Sequence, residues 1–139
     1  MRTMFTRLAH VCLHVANLHT SCAFYGKLGF STRFRFTREG KLFGAYLEIA
    51  PGNFLELFED PTRTPTAQGS LRHFCLETDD MSTVMARLDA EGVPFTPNKK
   101  GCDDTWQIWL QDPDGNDFEV HQYTPTSRQL VGGDVEADW

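Results

Sequence analysis

From Leu8 to Val15 the side chains alternate: Val11, Leu13 and Val15 fall on one face, His10, Cys12 and His14 on the other. A period of two predicts a half-buried strand. Asn17 then predicts a helix cap, and Gly29 the end of that helix in the left-handed conformation. The same order returns later in the chain. Asp79 or Asp80 caps a second helix that Gly92 stops, and Met81, Val84, Met85 and Leu88 follow i, i+3, i+4, i+7, one apolar stripe. Three more strands are expected after each helix. The last two of each set join as hairpins at Ala50-Pro51-Gly52-Asn53 and Asp112-Pro113-Asp114-Gly115-Asn116. The final strands fall at Phe54–Phe58 and Asp117–His121.

This recurrence is a duplication. Without a gap, residues 8–60 align with 71–123 at a constant offset of 63, as His10 onto His73. Leu8, His10, Cys12, Leu13, Thr20, Ala23, Gly29, Leu47, Gly52, Asn53 and Glu56 meet the same residue type in the second copy, eleven identities in all. Average composition would give roughly three. Two copies are too few for a solenoid. The expected architecture is α+β: tandem βαβββ modules, 8–60 and 71–123, related by a pseudo-twofold axis within one domain spanning 1–123. Residues 60–70 read as the linker between modules, and 124–139, without periodicity, as a mobile tail.

Composition narrows the function. A net charge of −6, from 19 acidic against 13 basic residues, argues against a nucleic-acid binder, which needs a basic surface to displace phosphate counterions. No apolar run approaches the ~18 residues of a membrane span, and the opening residues lack a signal peptide's apolar region. A soluble cytoplasmic protein is the expectation. In that compartment Cys12, Cys22, Cys75 and Cys102 stay reduced, and Cys12 and Cys75, at equivalent repeat positions, read as small buried core residues.

Alternation places His10 and His73 on the polar faces of the first strands, and Glu56 and Glu119 on those of the last. A lone strand histidine is more often a hydrogen-bonded core or surface residue than a ligand, and a lone Glu beside Leu is usually solvated. Here both types recur at one offset. Two imidazoles and two carboxylates suit Zn²⁺, Ni²⁺, Co²⁺, Mn²⁺ or Fe²⁺, and the carboxylates cancel the ion's charge.

The segments His10–Leu18, Phe24-Tyr25, Leu28-Gly29-Phe30, Phe54–Phe58, His73–Glu77 and Asp112–Glu119 resemble the vicinal oxygen chelate superfamily over about residues 8–123. That family includes glyoxalase I, extradiol dioxygenases and bleomycin-binding proteins. The resemblance implies paired βαβββ modules forming a half-open barrel, a homodimer, a small-molecule substrate and a divalent metal held by His10, Glu56, His73 and Glu119. A His/Glu/His/Glu set looks most like glyoxalase I. There a metal chelating adjacent substrate oxygens favours an enediolate, while Glu119 or Glu56 takes and returns the α-proton as catalytic base and acid. Two positions depart from the glyoxalase pattern. His14 stands where an Arg typically holds a glutathione carboxylate, and Asp60 where an Asn is usual.

His14, Cys75, His121 and Trp109 are further candidates for substrate contact, with Trp106 and Tyr123 nearby in sequence. Two alternatives stand beside a glyoxalase I-like lyase or isomerase. One is an Fe²⁺ extradiol dioxygenase using His10, His73 and Glu119, against which a fourth anionic ligand, Glu56, counts. The other is a non-enzymatic protein sequestering a small molecule such as a cationic antibiotic, which a net charge of −6 suits.

Overall fold

In the computed structural model, which describes residues 4–62 and 70–139, the alternation around His10 becomes strand β1 (His10–Val15). Asn17 takes an extended conformation and its side-chain oxygen accepts from the Thr20 amide at 2.9 Å, opening helix α1 (Leu18–Lys27). Gly29, at φ 95°, turns the chain out of the helix in a conformation costly for any residue with a Cβ. Strands β2 (Ser31–Arg38), β3 (Lys41–Ala50) and β4 (Asn53–Glu59) follow. The sheet runs β1-β4-β3-β2, with β1 parallel to β4 and the other pairs antiparallel. Val15, Ala45, Leu47, Leu55 and Leu57 are buried, as are Leu18 and Tyr25 of α1. A ten-residue helix is marginal in water by itself, so packing on β3 and β4 is what stabilises it.

The second copy repeats the plan with β5 (Phe74–Glu77), α2 (Met81–Ala90), β6 (Lys99–Lys100), β7 (Trp106–Gln111) and β8 (Asp117–Gln122). Its sheet runs β5-β8-β7-β6, with β5 parallel to β8. Asp80 is the cap, accepting from the Thr83 amide, and Gly92 at φ 69° ends the turn after the helix. Met81, Leu88, Ile108, Leu110, Phe118 and Val120 form the core. In both copies the last residue of the last strand takes the first helical amide. Leu18 N donates to Glu59 Oε2 at 2.8 Å, and Met81 N to Gln122 Oε1 at 2.6 Å. The chain divides into two compact units, Met1–Thr66 and Ala67–Trp139, each a four-stranded mixed sheet with its helix: an α+β fold. Most of the expected linker, 63–69, lies outside the described residues.

Three features differ from expectation. Strand β6 has two residues where β2 has eight, because Pro94 and Pro97 precede it and proline has no N–H to give a ladder. Cys12 and Cys75 are not core residues: both are exposed, on the face the alternation assigns to His10 and His73. All four thiols are free.

The third difference is the segment after Tyr123. It does not leave the fold at residue 124 as a mobile tail. Ser127, fully buried, lies with its Oγ 2.8 Å from the Thr105 hydroxyl, itself fully buried. Thr124 Oγ1 donates to Asp104 O, Arg128 N to Asp103 O, and Gln129 Nε2 to Asp103 Oδ2 at 2.7 Å. A short helix, α3 (Arg128–Val131), completes this strap over the loop before β7.

Candidate functional site

Sheet register lines up the polar face of each copy in one row. In the first, Cys12 of β1 lies opposite Glu56 of β4, which lies opposite Tyr46 of β3. In the second, Cys75 of β5 lies opposite Glu119 of β8, and Glu119 opposite Trp109 of β7. The histidines begin one step earlier in the chain's alternation and lean onto the same carboxylates.

In the first module His10 Nε2 stands 3.7 Å from Glu56 Oε1. Tyr46 fixes the ring from the other side, its hydroxyl 3.1 Å from His10 Nδ1 and its ring edge-on to the imidazole. Cys12 donates to Glu56, and burial first, then that carboxylate, raises its thiol pKa. Beyond Glu56 the face turns aromatic. Phe58 lies against Phe36 and stacks on Phe43, with centroids 5.0 and 5.6 Å away, and Phe34 stacks on Tyr46 at 4.7 Å. Phe58 has room because it lies over Gly44; a Cβ there would sit 2.7 Å from the ring. His14 is placed edge-on to Phe58 at 6.3 Å and is exposed.

The second module is tighter and more polar. His73 Nε2 is 3.1 Å from Glu119 Oε1, and His121 Nε2 is 3.0 Å from Glu119 Oε2, so two imidazoles grip one carboxylate, one on each oxygen. Glu119 is 8% exposed, a buried acid with an imidazole nitrogen in contact with each oxygen. Trp109 meets His73 edge-on at 4.7 Å, the counterpart of Tyr46 on His10. Cys75 joins this group: its Sγ, a Glu119 oxygen and a His121 nitrogen all lie within 4.8 Å of one another. Although Cys75 is exposed, crowding of its sulfur, and next the Glu119 charge, push its thiol up to about 12. Glu77 and Asp103 push the same way. Tyr123, edge-on to His121 at 6.3 Å, is raised by burial and by the charge of Glu77.

The His73–Glu119 contact is at hydrogen-bond distance, a spacing that two ligands of one divalent ion can also have. Two ligands at about 2.1 Å and a right angle lie about 3.0 Å apart, and at a tetrahedral angle about 3.4 Å. The His73–Glu119 and His10–Glu56 pairs, at 3.1 and 3.7 Å, are near those edges. The structure thus brings His10 to Glu56, and His73, His121 and Cys75 to Glu119, while His14 stands apart beside Phe58. The alternation signals that Cys75 and His121 share a face with Glu119; only the strand register shows that Cys75 lies directly opposite it.

Residues 7–120 match the model of the Glyoxalase/Bleomycin resistance protein/Dioxygenase superfamily. Among solved structures, a glyoxalase family protein from Enterococcus faecalis is 26% identical, with a TM-score of 0.73 over 86% of this chain and 99% of that one. A bleomycin resistance determinant encoded on the transposon Tn5 shares the fold at 24% identity and a TM-score of 0.69, covering 85% of this chain and 98% of its own. So does a bleomycin-binding protein complexed with bleomycin, at 22% identity, a TM-score of 0.69 and coverage of 86% and 100%. No described helix is long and apolar enough to cross a membrane. With the family model spanning both βαβββ copies, the chain belongs to the Glyoxalase/Bleomycin resistance protein/Dioxygenase superfamily.

Proposed function

We propose that the protein is a metal-dependent lyase or isomerase of the glyoxalase I kind, acting on a small substrate with two adjacent oxygens. One observation carries this reading: a His–Glu pair recurs at the same repeat positions in both copies, each with its nitrogen and oxygen in close contact, at 3.7 and 3.1 Å. His10 and Glu56 would supply half of a four-donor set, His73 and Glu119 the other half. When bound, such an ion polarises the substrate oxygens as a Lewis acid.

The residues divide the remaining work unequally. Glu119 is held by two imidazoles and serves as a fixed ligand. Glu56 has a looser contact with its histidine and a more open side chain, 18% against 10% exposed. It is the carboxylate free to take a proton from the substrate's α-carbon and return it to the neighbouring carbon. Tyr46 holds the His10 ring while this happens. The thiol partner is not expected to be glutathione. Asp60, which accepts from both the amide and the hydroxyl of Thr62, stands where the family resemblance has an Asn, and its negative charge disfavours an anionic thiol adduct.

The test combines elemental analysis with a methylglyoxal assay run with several cellular thiols. About one equivalent of metal per site, with thioester formation that chelation abolishes, supports the proposal. Absence of metal after incubation with each ion, or no product with any thiol, rejects it.

A second reading is favoured by the aromatic face of the first module. Phe34, Phe36, Phe43, Tyr46 and Phe58 present stacked rings in a protein of net charge −6, a surface suited to a planar cation. Binding of bleomycin that survives chelation, without turnover, would establish sequestration instead.

A further inference from the structure

The cluster around Glu119 contains more donors than the four-residue set uses. His121 Nε2 is 3.0 Å from Glu119 Oε2, the oxygen not faced by His73, and Cys75 Sγ completes a triangle whose donor atoms all lie within 4.8 Å. Among the described residues the first module has no such triangle, and Phe58 occupies the position of His121. Glu77, the register partner of His121 on β5, and Asp103 act on Cys75 with further negative charge, which favours a cation there.

We propose that Cys75, Glu119 and His121 form a nitrogen–oxygen–sulfur site for a borderline-soft divalent ion such as Zn²⁺ or Co²⁺, contained in the second module. Thiolate ligands select zinc-like ions over Mg²⁺ and Mn²⁺. On binding, the Cys75 S–H proton passes to the buffer and a sulfur lone pair forms the bond to the ion; no electron changes hands. The site shares Glu119 with the four-donor reading but needs neither His10, Glu56 nor His73. An ion held through Glu119 Oε2 would compete for that carboxylate with one held through Oε1 and His73.

Cobalt reports the difference, because only a thiolate ligand gives an intense sulfur-to-metal charge-transfer band in the near ultraviolet. Titration of the intact protein with Co²⁺ is expected to produce that band. Cys75→Ser should abolish it, and His121→Phe, which copies the residue of the first module, should weaken cobalt binding by about tenfold or more. Cys12→Ser and His73→Ala should both keep the band. Circular dichroism of each variant establishes that it is folded. Cobalt bound without a charge-transfer band, or a band that survives Cys75→Ser in the folded protein, would overturn this site while leaving the four-donor reading intact. A band that disappears in His73→Ala would likewise overturn it, by showing that the ion depends on that set. A metalloenzyme inactive toward every thiol but showing the Cys75-dependent band would reject the proposed reaction and keep this site.

Discussion

The two modules share strand order, helix caps and a His–Glu pair, yet their faces differ chemically. In the first, Phe58 crosses from β4 to lie over Gly44 on β3. In the second, the equivalent pair is His121 opposite Gln107. Each pair is self-consistent: the Phe58 ring lies so close to Gly44 that a Cβ there would collide with it, whereas His121 has a polar register partner. The comparison teaches that duplicated backbone geometry sets where a carboxylate stands, while the residue two positions further along the strand decides its surroundings. Glu56 has an apolar aromatic neighbour there, and Glu119 a second imidazole.

The sharpest way to break this comparison is to neutralise each carboxylate. Under the proposed mechanism Glu56→Gln should lower turnover by about 10²- to 10⁴-fold with metal still bound, as expected for loss of a general base. Glu119→Gln should release the metal itself. Parallel measurement of kcat and metal content separates the two, and equal metal loss in both would make the modules equivalent ligands.

A smaller effect tests the Gly44–Phe58 pair. The Cβ of Gly44→Ala would meet the Phe58 ring at 2.7 Å and the Leu57 carbonyl oxygen at 2.9 Å, and the backbone oxygen has little freedom to yield. The expected cost is about 1–3 kcal/mol by denaturant unfolding. Gln107→Ala, at the matching position, should cost less, and a reversed order would undo the argument.

Next comes the strap that follows the second module. Thr105→Val keeps the shape of the side chain but removes the hydroxyl next to Ser127, at an expected cost of about 1–2 kcal/mol. Amide exchange should quicken over 103–105 and 124–131 and stay unchanged in α1.

The mildest contrast lies in the caps. Asn17→Ala should cost about 1 kcal/mol at any pH, since the amide does not titrate. Asp80 is different: hydrogen bonds from Ser82, and next from Thr83, hold its carboxyl below the ordinary 3.8. A folded-state value below the unfolded one gives stability that is present above the unfolded value and lost as pH falls through the folded one. The penalty of Asp80→Ala should therefore shrink in acid, below about pH 4, whereas that of Asn17→Ala should not. Thermal unfolding of the two variants across that range checks it.

The sequence made the fold legible because alternation and duplication agreed: His10 and Glu56 fell on polar faces, and the same logic held for His73 and Glu119. Where two cues conflicted, alternation won. Repeat equivalence suggested that Cys12 and Cys75 were core, but their parity with the histidines put them on the open face. Register was invisible, so the direct opposition of Cys75 to Glu119 had no signature beyond a shared face. The strap was missed for another reason. Thr124, Ser127 and Gln129 are held by hydrogen bonds, which leave no hydrophobic periodicity to read.

That strap also moves the practical boundary of the domain. A chain cut after Tyr123 would keep every strand of both sheets, and any trimming guided by sheet content would stop there. It would nevertheless remove the strap's hydrogen bonds to Asp103 and Asp104, and Asp103 is one of the charges acting on Cys75. For truncation or fusion, the safe joint lies beyond Gly132, where the backbone turns to φ 75° after the last turn of α3.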